Sequence, residues 1–150
     1  MPAVIRPDGW DFPLLLHVLG SMLLVGALIL AAACLLLAGR DTTASTARLG
    51  YRALLLGVLP AWVLMRAGGE WIASKEDLTD SSASWVRIGF TMADSGLVAI
   101  LIATVLAGLA VRRAAGPGAS TGPRLISGAL ATLLLVAYLV TVWAMTTKPT

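Results

Sequence analysis

The chain has little of what soluble chemistry draws on. One cysteine and one histidine occur in 150 residues, which excludes an intramolecular disulfide, a CxxC redox pair, a structural zinc site of Cys and His ligands, and a bis-histidine haem within one chain. P-loop, GxGxxG, nucleophile-elbow and HExxH spacings are absent, so the soluble-enzyme templates built on them do not apply. Charged residues make up 13% of the chain, against about 25% in globular domains. Its aqueous segments are too short of aromatic and basic side chains to form a nucleic-acid surface.

What fills the chain instead is apolar: 58% of it is hydrophobic, above the roughly 45–50% of ordinary domains. The segment Phe12–Ala38 is interrupted only by His17 and Ser21. About 20 apolar residues at ~1.5 Å rise cross a hydrocarbon core of ~30 Å, so this segment spans a bilayer. A cleaved leader is not expected, because Met1–Asp11 sets Arg6 against Asp8 and Asp11 and the apolar run far exceeds an h-region of about 7–15 residues. The lone Cys34 sits inside this span and reads as packing.

Three more spans follow, giving helices over about 12–39, 49–68, 85–111 and 125–146. The fold class is all-α membrane, a single domain of four antiparallel transmembrane helices over residues 1–150. Asp11 is placed to cap the first helix with Pro13 in its first turn. Pro60 lies in the middle of the second span and predicts a kink near Val58–Pro60. Gly68 and Gly69 are expected to loosen the end of that helix, leaving Glu70–Ser84 as a polar loop with room for a short interfacial helix. Trp10, Trp71, Trp85 and Trp143 fall where interfacial belt residues belong, with Trp62 deeper. No internal duplication is evident.

Basic residues gather beside the first and third connections: Arg40, Arg48 and Arg52, then Arg112, Arg113 and Arg124. By the positive-inside rule these loops face the cytoplasm, and both termini face outside. The formal charge of +3 is an orientation signal. The lipid bilayer is the expected partner, with a second copy or a membrane complex as a further one, and no nucleic acid.

Ionisable groups inside a span are costly, by about 2.5–3.5 kcal/mol at the centre on insertion scales, and they face the bundle interior and pair. His17, Arg66, Glu70, Asp94 and Lys148 all fall in the outer half of their spans or just beyond, which points to one polar pocket. His17 and Ser21 share a helix face beside a stripe of small residues, Gly20, Ala27, Ala31 and Ala38. Arg87, Thr91 and Asp94 share another, and Tyr138, Thr141 and Met145 a third. The pair Arg66 and Glu70 is spaced i,i+4 in the less favourable order, so Glu70 is expected to find its better partner elsewhere. His17 and Asp94 sit at similar depth and are expected to converge. His17 has two readings, a packed neutral imidazole or a ligand and proton carrier, and Asp94 is also open to an ion pair with Arg66 or Arg87. Glu70, Arg87 and Lys148 also read as snorkelling interfacial charges.

A first span containing LLLHVLGSMLLVGA, a second with LPAWVLMRAGGEW and an ending VWAMTTKP resemble a group of small bacterial four-helix membrane proteins. In outline these are similar to the copper-resistance D type and to haem-dependent, membrane-embedded protoporphyrinogen oxidases. The resemblance implies a bacterial inner-membrane location, a site at His17, which matches the family histidine and would be the axial haem ligand, and a Lys-Pro ending matched by Lys148 and Pro149.

Three functions are compatible with these features. The first is binding of a cofactor or small molecule, haem-like or acidic, by His17, Arg66, Glu70, Asp94, Tyr138 and Lys148, with Asp94 orienting His17 and with Arg66 or Lys148 meeting an acidic group. The second is a non-catalytic structural or accessory subunit in which the same residues hold helices together. The third is a small transporter acting as a dimer. Whether the chain is an enzyme is not legible from its residues.

Overall fold

The computed structural model describes Gly9 and residues 11–37, 44–76, 84–113 and 121–147, of which Ala44, Ser84 and Trp85 are described in backbone only. The elements run α1 (Asp11–Leu37), α2 (Ala44–Arg52), a π-helical stretch (Ala53–Val58), α3 (Leu59–Lys75), α4 (Ser84–Arg113) and α5 (Gly122–Thr146). No strand occurs among the described residues. α2, the π stretch and α3 form one continuous span, so the chain is an antiparallel bundle of four helices, each long and apolar enough to cross a membrane. The architecture is that of a polytopic membrane protein.

The distribution of side-chain sizes says the same thing from the packing side. Large apolar residues point outward, Leu37, Leu56, Met22 and Leu133 among them, while Ala31, Ala103, Ala107, Ala131 and Ser127 are fully buried. In water this would be inside out. In lipid it is the economical arrangement, because tails solvate leucine as well as a core does and small residues let backbones approach.

α1 lies at the centre of the packing, against α3 on one side and α5 on the other, while α4 packs along α5 and against α2. Gly20 and Gly68 make the α1–α3 seam possible. A Cβ on Gly20 would run into the Met65 backbone, and one on Gly68 would lie 2.5 Å from the His17 backbone nitrogen. This seam overturns the expected helix end at Gly68 and Gly69. The glycines are buttressed by α1 instead of fraying, and the helix carries on through Glu70 to Lys75.

At Pro60 the helical ladder changes its pairing. Proline lacks an N–H and crowds the carbonyl four residues back, and the ladder answers by widening: the Leu59 amide donates to the Leu54 carbonyl, a π-type step. The disruption is spread over Ala53–Val58, whose Ala53, Leu54 and Val58 are buried in the core. The third helix runs from Ser84 to Arg113 and the fourth begins at Gly122, each extending past its expected bounds, with Pro123 in the first turn of the fourth, while the first helix is described only to Leu37.

The bundle has two unlike ends. At the one where α1 and α4 finish and α2 and α5 begin, Leu28, Leu35, Leu54, Ile100 and Ser127 are fully buried, and Arg48, Arg52, Arg112, Arg113 and Arg124 cluster. Ser127 there donates across helices to the Ala103 carbonyl at 2.7 Å, and Cys34 is buried as packing. At the other end α3 and α4 draw apart, meeting only sparsely. That opening positions the site.

Candidate functional site

Where α3 and α4 separate, a cavity of about 340 Å³ opens, lined by all four spans. Each span contributes at helical spacing: His17 and Ser21 from α1, Arg66, Gly69 and then Glu76 from α3 and its cap, Phe90 and Ala93 from α4, Tyr138 and Thr141 from α5. Most of the wall is apolar, with Leu14, Leu24 and Val142 among its residues. Few polar groups in an apolar wall are the usual make-up of a small-molecule site.

His17 is held by an unusual partner. Its Nδ1 lies 2.8 Å from the Met65 carbonyl oxygen on α3. A carbonyl only accepts, so Nδ1 carries the proton, and in the neutral ring Nε2 is left as an acceptor. The contact needs Gly69, because a Cβ there would lie 3.0 Å from Nδ1 and press on the imidazole. Ser21 turns back on its own helix, donating to the His17 carbonyl at 2.7 Å.

Arg66 forms the second feature. Its Nη2 sits 3.0 Å from Glu70 Oε1 and 3.1 Å from Asp94 Oδ1, while the guanidinium lies over the Phe90 ring, 4.8 Å from its centroid. One turn earlier, the Trp62 indole N–H donates to the Ala93 carbonyl at 3.0 Å. These two ties, a turn apart on α3 and meeting consecutive residues of α4, join helices that otherwise stand apart. Phe12 and Trp71 add an edge-to-face contact between α1 and α3, centroids 6.1 Å apart.

Two sequence-based expectations are corrected here. His17 and Asp94 do not pair: the imidazole takes the Met65 carbonyl, and Asp94 goes to Arg66, a permanently charged fork that matches a carboxylate better than a neutral ring does. Glu70 does not find its partner elsewhere but takes the i,i+4 position beside Arg66, since the helix continues through it. Neither Glu70 nor Asp94 lines the cavity, and their side chains are 59% and 65% exposed. Arg87 lines a separate groove between α4 and α5. Lys148 lies outside the described residues.

Tyr138 is the third feature. It is 5% exposed and lines the cavity, and its buried hydroxyl stands beside the Trp62 indole, whose N–H goes to the Ala93 carbonyl, so the hydroxyl has no well-formed hydrogen bond among the described residues. A Cβ on Gly96 would collide with that hydroxyl, so the glycine is what lets the phenol occupy its place. A buried hydroxyl left without a partner costs about 1–3 kcal/mol, and a native structure that keeps one invites a reason.

Phe90, Glu76, Gly69 and Trp62 were not singled out as site residues by the sequence reading. Glu76 and Gly69 had a signal: residues 66, 69 and 76 fall on one face once the helix is allowed through Gly68 and Gly69. Phe90 lies four residues before Asp94 and thus on the same face. The Met65 carbonyl had none, because a backbone acceptor has no residue type to recognise.

No cluster of three or more His, Cys, Asp or Glu that could hold a metal occurs among the described residues. The haem implied by the resemblance fares poorly against the cavity. The imidazole is oriented as an axial ligand would be, its far nitrogen fixed by a carbonyl. Yet about 340 Å³ is at the low end of the ~300–1,000 Å³ of small-molecule pockets, short of what a tetrapyrrole requires. Arg66, the cation that would meet propionates, is already held by two carboxylates. The residues do not fit a haem.

Comparison with protein-family models, curated proteins and solved structures returns no match to this chain. Its function is therefore argued from geometry.

Proposed function

We propose that this polytopic protein binds a small, largely apolar molecule inside the membrane, in the cavity between α1, α3, α4 and α5. The observation that carries the reading is the cavity walled by all four spans, with the Tyr138 ring in its lining and, behind the ring, a hydroxyl that has no hydrogen bond among the described residues. A ligand polar group that draws the phenol toward the cavity would satisfy it, and in the neutral imidazole His17 Nε2 supplies an acceptor on another wall. The basic connections face the cytoplasm of a bacterial inner membrane in this reading, so the cavity opens outward.

Tyr138→Phe tests it, since only the oxygen is removed. Protein in phosphatidylcholine nanodiscs should retain phenylbutanol above protein-free discs in equilibrium dialysis, and the variant should lose most of that retention. Thermal stability should hold or rise by about 1 kcal/mol, because an unsatisfied hydroxyl is gone. Equal retention by both proteins would sink the reading.

A second reading, a non-catalytic accessory subunit, is favoured by one observation. The Arg66 cluster with Glu70, Asp94 and Phe90 holds α3 to α4 where apolar packing is sparse, which is what helix glue does. The same dialysis separates the two, as a scaffold has no reason to retain the alcohol.

A further inference from the structure

We infer that the ligand is a protonated amine carrying an apolar body, an amphiphilic cation, with its ammonium read by Glu76 at the cavity mouth; this rests on the proposed small-molecule site. The lining offers an ammonium several acceptors. In the neutral imidazole His17 Nε2 accepts, since the ring's one proton is on Nδ1 and goes to the Met65 carbonyl. The Tyr138 hydroxyl, buried without a hydrogen bond among the described residues, has lone pairs to offer once the phenol turns toward the cavity. Glu76 lines the cavity and has no ion pair among the described residues.

Among the described residues Arg66 is the one permanent cation in the lining, and its charge is countered by two carboxylates. Glu70 and Asp94 both hold its Nη2, and Phe90 covers its face. Around the mouth, the carboxylates of Glu70, Glu76 and Asp94 thus outnumber the guanidinium. Lys75 does not redress the balance, since its ammonium lies toward Gly9 and it is not part of the lining. Glu76 further follows the C-terminus of α3, where the partial negative charge of the helix end favours cations. An acidic ligand would meet this mouth with like charge. Ligand charge is therefore selected by the mouth, and the apolar wall takes the body.

The experiment compares three probes of like shape, phenylbutylammonium, phenylbutyrate and phenylbutanol, by equilibrium dialysis against the protein in phosphatidylcholine nanodiscs, with protein-free discs subtracted. The cation should bind about tenfold more tightly than the carboxylate, the discrimination one charge-assisted contact supplies. Glu76→Gln should remove that preference, with the cation's affinity falling about tenfold toward that of the carboxylate. Carboxylate binding equal to or tighter than the cation's would overturn the ligand class while the bound alcohol keeps the cavity reading. A cation preference that survives Glu76→Gln would overturn the assignment of Glu76. Retention of none of the three would bring down both readings together, and the wild-type comparison needs no variant to fold.

Discussion

The two ends of the bundle are built from similar residues to opposite effect. At the arginine-bearing end, leucines and isoleucine interlock with alanines and Ser127 bonds across helices, leaving Leu28, Leu35, Leu54 and Ile100 without exposure. At the other, α1 and α3 are pressed together through Gly20 and Gly68 while α3 and α4 part. Close approach on one side of α3 is what leaves space on the other. Within the open end a guanidinium, an imidazole and a phenol find room between the helices.

The largest effect should come from cutting into the tight end. Leu28→Ala is expected to cost about 2–5 kcal/mol, a buried methylene loss plus a cavity, whereas Val142→Ala in the cavity wall, 47% exposed as wild type, should change stability by no more than about 0.5 kcal/mol. Unfolding in mixed micelles measures both. Similar losses would erase the distinction between the ends.

Next in size is the α1–α3 seam. Gly68→Ala drives a methyl against the His17 and Pro13 backbone and should cost about 1–3 kcal/mol as overpacking. Gly26 has nothing within 4 Å of an added Cβ, so Gly26→Ala should instead stabilise, by about 0.5–1 kcal/mol from helix propensity. A Gly68→Ala protein as stable as wild type would mean that the seam is looser than described.

Smaller in energy but sharper in geometry is Arg66→Met. The ion pairs are partly exposed, so about 1 kcal/mol or less is expected, but one of the two ties between α3 and α4 is gone. Spin labels at Trp71 and Ile88, both outward-facing, should report a longer or broader distance distribution. An unchanged distribution would show that Trp62 and Ala93 hold the opening alone.

The smallest contrast lies among hydroxyls. Ser127→Ala breaks a bond between helices and should cost about 0.6 kcal/mol, the average for such bonds in membranes. Thr104 donates to its own helix at Ile100, so Thr104→Ala should be close to neutral. Equal effects would remove the interhelical bond from the account of the tight end.

The sequence by itself determined the all-α class, the four spans and their antiparallel order, because a bilayer requires about 20 apolar residues per helix and leaves the backbone no other bonding. It also marked His17, Arg66, Glu70, Asp94 and Lys148 as ionisable groups at comparable depth, since charge inside or beside apolar runs is visible by composition. Which of them meet was decided only by tertiary structure. Gly68 and Gly69 read locally as a helix end, and packing against α1 made them the centre of a seam; that extension paired Glu70 with Arg66 and brought Glu76 to the mouth. His17 went to a backbone carbonyl, an acceptor present at every residue and therefore invisible in any one of them. Periodicity fixes the face on which a side chain lies, but its partner depends on how closely two backbones approach, and that distance is set by residues with no side chain at all.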